Sequence, residues 1–184
     1  VLIGSLVKAG RHKEVGRVYL ARGEYAAAAR AFDDAGAWSD AARCFEELGN
    51  AREAGVYLER WLELHPDDDG AALRLGRILA RFGRHDDAIT LLQRAISKAA
   101  PGDKDAVLCR AAPTLALAFH ALGYDEAART TLVRWHKAFG RLTRGVDPAR
   151  IANDAPPTSL EALLSSARAA AFAAVQQRTT KSSP

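Results

Sequence analysis

Apolar residues recur along the first two thirds of the chain at three- and four-residue spacing, broken by single glycines. In Glu24–Ala35 the spacing gives Tyr25, Ala28, Ala29 and Phe32. In Ala37–Leu48 it gives Trp38, Ala41, Ala42, Phe45 and Leu48. This is the period of an amphipathic helix. Gly10, Gly23, Gly36 and Gly49 punctuate it, each 13 residues after the last. Glycine adopts the left-handed conformation needed just past a helix C-terminus, so each interval reads as about three turns of helix and a tight turn. Short turns make successive helices antiparallel neighbours. Hairpins that repeat bury their stripes by stacking, which predicts an all-α solenoid. Long Val/Ile/Thr alternation is absent and gives strands no support.

The pattern changes after residue 139. GRLTRGVDPARIANDAPP, 140–157, is rich in Gly, Pro and Asp and reads as a linker. At 158–178, Thr158 and Glu161 have capping-box spacing. Leu160, Leu163, Leu164, Ala167, Ala171 and Val175 form an apolar stripe. A helix there is expected to cover the open end of the last hairpin, or else to dock on a partner. The tail 179–184 is expected to be disordered. The predicted organisation is a repeat domain over 1–139, a linker, a capping helix and a tail.

Composition adds limits. No apolar run approaches the ~20 residues of a membrane span, and VLIGSLV is too short and poorly flanked for a signal peptide. The chain has no methionine, so it is expected to be part of a longer protein. Its Ala- and Arg-rich, Lys-poor usage points to a GC-rich bacterial genome, and the lack of an export signal to the cytoplasm. The formal charge is +4. Residues 140–184 hold six Lys/Arg against three Asp/Glu, so the repeat body is nearly neutral and lacks the broad basic field of a nucleic-acid binder.

Candidate chemistry is sparse. Cys44 and Cys109 match no metal or redox spacing and are expected to be small buried hydrophobes. No two of the five histidines share a helix face at zinc-pair spacing. PDDDG at 66–70 lacks the alternating ligands of a calcium loop, and Asp68 or Asp69 reads as a helix cap. Asp86 and Asp87 after His85 suit a first helical turn. Serines lack a nucleophile-elbow context, and the glycines form no phosphate loop. No catalytic residue, cofactor or metal is expected.

Trp38-x-x-Ala41-Ala42-x-x-Phe45, followed by Ala54-x-x-x-Leu58 and Pro66, resembles the tetratricopeptide repeat. The same frame holds at Val15-Gly16-x-x-Tyr19 with Ala28-x-x-x-Phe32, at Leu75-Gly76-x-x-Leu79 with Ala88-x-x-x-Leu92, and at Leu115-Ala116-x-x-Phe119 with Ala128-x-x-x-Leu132. The resemblance covers about residues 10–139 and implies a right-handed solenoid of about four hairpins. The spacing of the second-helix alanines is uneven, and Pro113 is expected to kink a helix or begin a new one, so the superhelix should be irregular. The 13-residue step also resembles, less closely, the helical repeats of vesicle-coat scaffolds. In the frame, Gly16, Ala42, Gly76 and Ala116 on first helices face Ala28, Ala54, Ala88 and Ala128 on second helices.

The resemblance further implies that first helices line a concave, partner-binding groove. The residue after each small packing residue then points into it: Arg17, Arg43, Arg77 and Leu117. Lys13 and Arg81 lie one turn away on the same face, Arg74 lies at its edge, and Glu46 and Glu47 interrupt the column. These residues, Lys13, Arg17, Arg43, Arg74, Arg77 and Arg81, are the expected peptide-binding set. Arginine suits an acidic partner because its planar fork binds carboxylates bidentately. The plain alternative is a solvated, charged helix face. The expected function is a non-catalytic scaffold for an acidic peptide or partner helix. The alternatives are a regulatory or sensor segment of a larger bacterial multidomain protein, and an RNA-binding helical repeat. The last is disfavoured because Tyr19, Phe45 and Phe119 sit at core positions.

Overall fold

The computed structural model of the protein describes residues 2–142. The described residues are helical throughout, without a strand: α1 (Leu2–Lys8), α2 (His12–Ala21), α3 (Tyr25–Asp34), α4 (Trp38–Glu47), α5 (Ala51–Leu64), α6 (Asp69–Arg81), α7 (His85–Lys98), α8 (Lys104–Ala121) and α9 (Asp125–Leu142). The chain divides into two compact units, Val1–Ile78 and Leu79–Pro184, with the division inside α6.

One turn is used six times. Gly10, Gly23, Gly36, Gly49, Gly83 and Gly123 all have positive φ, between 64° and 80°. At each, the residue after the glycine donates its N–H to the carbonyl five residues back: Glu24 to Tyr19, Ala37 to Phe32 and Asn50 to Phe45, at 2.8–3.0 Å. This is the Schellman closure, which satisfies carbonyls that a helix end leaves without donors. The same residue then opens the next helix, accepting the N–H four residues on, as in Ala28 to Glu24 and Ala54 to Asn50. The 13-residue period follows, since α2, α3 and α4 are each 10 residues long and a three-residue turn joins each to the next. Nothing lies within 4 Å of a Cβ placed on Gly36. Gly36→Ala should therefore cost only the left-handed strain of an L-residue, about 1–2 kcal/mol, read as a lower denaturation midpoint with unchanged helicity.

In the first unit α2 packs on α3, α3 on α4 and α4 on α5. Ala28, Ala29, Phe32, Ala37, Ala41 and Cys44 form its core cluster, with Tyr19, Leu20, Tyr25, Phe45 and Tyr57 packed around it. The small residues let α2 and α3 close tightly. A Cβ on Gly16 would stand 2.7 Å from the Phe32 ring, so the glycine is matched by Phe32 rather than by Ala28 alone. Polar contacts pin α3 to α5. The Tyr57 hydroxyl donates to Asp33 at 3.0 Å, and the Arg60 guanidinium lies 3.8 Å from Asp33 and over the Trp38 ring at 5.1 Å. Beyond α5, Asp68 receives the Trp61 indole N–H at 2.8 Å and caps α6 through the Ala71 N–H at 2.9 Å. PDDDG is thus capping sequence, as its composition predicts.

In the second unit α7 packs on α8 and α8 on α9. Ala116, Ala128 and Leu132 share one core cluster, and Asp105 receives a two-nitrogen clasp from Arg141 at 2.6 and 2.7 Å, joining the start of α8 to the end of α9. Across the two units, Ala28, Ala54, Ala88 and Ala128 are all fully buried, as are Ala42 and Ala116. Ala88→Leu should overpack its site and cost about 1–3 kcal/mol; thermal unfolding of the variant measures this.

Several expectations change. No helix begins at Pro113: the chain runs through it as the single helix Lys104–Ala121. The proline removes the ladder bond to the Cys109 carbonyl and its ring crowds that carbonyl, in a helix with buried residues on both sides. Leu48 is 48% exposed rather than on the buried stripe, because the chain has already turned out of α4 there. Cys109 is half-buried, whereas Cys44 is fully buried. α9 continues through Gly140, Arg141 and Leu142, into the sequence assigned to the linker. The rest of that linker, the 158–178 helix and the tail lie outside the described residues.

Candidate functional site

Two side-chain contacts place the first helices of the first unit side by side. Lys13 on α2 reaches Asp40 on α4 at 4.0 Å. Arg74 on α6 reaches Glu46 on α4, its Nε at 3.0 and 3.2 Å from the two carboxylate oxygens. Arg74 Nη1 also donates to the carbonyl and hydroxyl oxygens of Ser39, both at 3.3 Å. Residues α2–α4–α6 of this unit therefore share a face, with α4 in the middle.

Arg43 belongs to that face by helix geometry. Ser39, Arg43 and Glu46 stand at i, i+4 and i+7 on α4, one stripe, and Arg74 spans its two ends. Arg17 follows Lys13 by four residues and so shares its side of α2. Arg17 and Arg43 are exposed and make no hydrogen bond or ion pair among the described residues. Arg77 is exposed on α6 and takes part in an interaction of its own. Arg81 is exposed in the last turn of α6, within the second unit. Of the six residues singled out in sequence, Lys13, Arg17, Arg43 and Arg74 are thus gathered on one face by contact and register.

Their states differ. The Arg74 side chain is only 15% exposed and is committed to α4. Lys13 is loosely balanced by Asp40. Among the described residues, Arg17 and Arg43 on this face have no hydrogen-bonded or ion-pair partner. Beside Arg17, the Glu14 carboxyl is held below the usual carboxylate range by its own backbone hydrogen bond, then by Arg11, with the charges of Arg11 and Arg17 adding to the effect. The Arg74–Glu46–Ser39 clasp was invisible to sequence reasoning. Its partners lie 28 and 35 residues apart, and the sole hint is that Glu46 and Glu47 break an otherwise basic column.

The thiols stay out of this chemistry. Burial pushes Cys44 up, helped by the charge of Asp40, and burial raises Cys109 to about 11, with Asp105 adding. A raised thiol pKa leaves little thiolate at neutral pH. At pH 8 the folded protein should react with a disulfide reagent roughly a hundredfold more slowly than the unfolded chain, a ratio that timed labelling with and without denaturant measures.

Residues 46–108 match the tetratricopeptide repeat family model. No curated protein sequence matches the chain. Among solved structures, the chain is similar to YrrB, described as a TPR protein with an unusual peptide-binding site. The TM-score is 0.58 at 19% identity, over 69% of this chain and 66% of that one, so the match spans just under two thirds of that relative. It is also similar to the MamA protein, with a TM-score of 0.62 at 17% identity, over 84% of this chain and 85% of that one. No helix among the described residues is long and apolar enough to cross a membrane. With its recurring Schellman turns and buried alanines, the chain has an all-α helical-repeat fold like that of these two structures, and its residues 46–108 match the tetratricopeptide repeat.

Proposed function

We propose that this protein is a non-catalytic interaction scaffold that binds an acidic peptide or partner helix on the α2–α4–α6 face of its first unit. The observation that carries the reading is the pair of exposed arginines, Arg17 and Arg43, which have no hydrogen-bonded or ion-pair partner among the described residues, on the face where Lys13 and Arg74 are each paired with a carboxylate. An arginine fork left open to solvent can take a carboxylate through two parallel N–H groups. Support for protein rather than RNA comes from the aromatics. Single-stranded nucleic acid needs exposed rings to stack its bases, and here Tyr19 and Phe45 pack against the core, Phe45 stacking on Tyr57 at 5.2 Å.

The test is direct binding of three fluorescent probes: hexaglutamate, hexalysine and a single-stranded RNA of six nucleotides. Hexaglutamate should bind, weaken as salt rises, and exceed both others at every salt concentration. RNA binding tighter than hexaglutamate would move the chain to the nucleic-acid class.

A further inference from the structure

Building on the reading of this face as a site for acidic ligands, we infer that Glu46 is an internal competitor for the ligand's carboxylate. It occupies Arg74 and gives it up only to a segment carrying a second acidic group.

The geometry of the clasp supplies the reason. Both Glu46 oxygens lie on Arg74 Nε, at 3.0 and 3.2 Å, while Nη1 turns to Ser39. Nη2 is buried and has no hydrogen-bond partner. A carboxylate in the best arrangement takes two parallel N–H groups of the fork, such as Nε and Nη2. Glu46 takes only one of them. An unpaired buried donor carries a cost, so the clasp is incomplete, and an incoming carboxylate that used both nitrogens would make the better pair. Arg74 also lies where such a carboxylate would arrive, because it spans Ser39 and Glu46 on the stripe that holds Arg43 between them.

Two classes of acidic ligand are thereby separated. A segment with one carboxylate meets Arg17 and Arg43 and leaves Glu46 in place. A segment with acidic groups spaced to reach Arg43 and Arg74 together must displace Glu46, and gains a third arginine when it does. Glu46 thus sets a threshold on the ligand's charge, and Arg74 is a positioning residue for α4 until the exchange occurs.

The experiment measures fluorescein-labelled hexaglutamate on the full chain, in low and high salt, for wild type, Glu46→Ala, Arg74→Gln and the double variant. Glu47→Ala serves as the control. It removes the same charge from the neighbouring exposed residue, outside the Arg74 clasp. Glu46→Ala is expected to tighten binding roughly tenfold in low salt and Glu47→Ala about twofold at most. Arg74→Gln in the Glu46→Ala background should remove the gain. Circular dichroism checks the fold, and Glu46→Gln, which keeps the shape without the charge, replaces Glu46→Ala if that variant unfolds. If wild type binds through Arg17 and Arg43 but Glu46→Ala matches Glu47→Ala, or keeps its gain without Arg74, the competitor role is overturned and the acidic-ligand reading stands. If neither wild type nor Glu46→Ala binds hexaglutamate, both fall.

Discussion

Phe32→Ala is expected to cost about 3–5 kcal/mol, the range for truncating a fully buried aromatic. Phe32 is 1% exposed and is among the largest wholly buried side chains of the protein. It sits on α3 in the core cluster that also holds Ala37, Ala41 and Cys44 of the next hairpin. Its ring fills the space that Gly16 leaves on α2, and its carbonyl accepts the Ala37 N–H that closes the turn into α4. The substitution opens a cavity next to a glycine and several alanines, none of which has the side chain to fill it. How far the larger neighbours of the cluster, among them Tyr19, Leu20 and Tyr25, close into it sets where the cost falls in that range. Leu48→Ala makes the comparison: Leu48 is 48% exposed, and its loss should cost under about 1 kcal/mol. Urea unfolding followed by circular dichroism measures both. Equal midpoints for the two variants would mean that the α2–α3 seam is not built as described.

Arg17→Glu combined with Arg43→Glu should reduce hexaglutamate affinity by two orders of magnitude or more while leaving helicity unchanged. The size follows from adding two losses. Each reversal removes a charge-assisted hydrogen bond, about 1.5–3 kcal/mol, and places a like charge against the ligand. Together these exceed the ~2.7 kcal/mol that corresponds to a hundredfold. Stability should barely change, because neither residue makes a hydrogen bond or ion pair within the described chain. The two arginines lie on adjacent first helices, and any departure of the double variant from the sum of the two losses is their coupling through one ligand. The single variants, measured beside the double, give that coupling energy. A surviving affinity in the double variant would take the ligand off this face.

The parts of the structure legible in sequence are those that local physics decides. A glycine with positive φ ends a helix wherever it stands, so Gly23, Gly36 and Gly49 mark their turns without knowledge of the rest of the fold. Alanines at 28, 54, 88 and 128 point to close helix packing, and all four are fully buried. Other features needed three dimensions. The Arg74 clasp joins α6 to α4, and local pattern carries no record of such a pair. Its effect on the candidate site is large, since it removes one arginine from those free to meet a ligand. Pro113 left two outcomes open for a related reason: a proline is a strong local breaker, and local pattern alone does not say that the helix continues through it, with buried residues on both sides. The short α1 escaped notice because seven residues give too little periodicity to read.

Recording backbone amide shifts while hexaglutamate is titrated into the labelled protein would decide where an acidic ligand sits. The expected result is a continuous set of shifts on α2 and α4, from Lys13 to Arg17 and from Ser39 to Glu46, extending to Arg74 on α6 as the probe approaches saturation. Shifts confined to α3 and α5, or scattered shifts that never saturate, would contradict a binding face on the first helices.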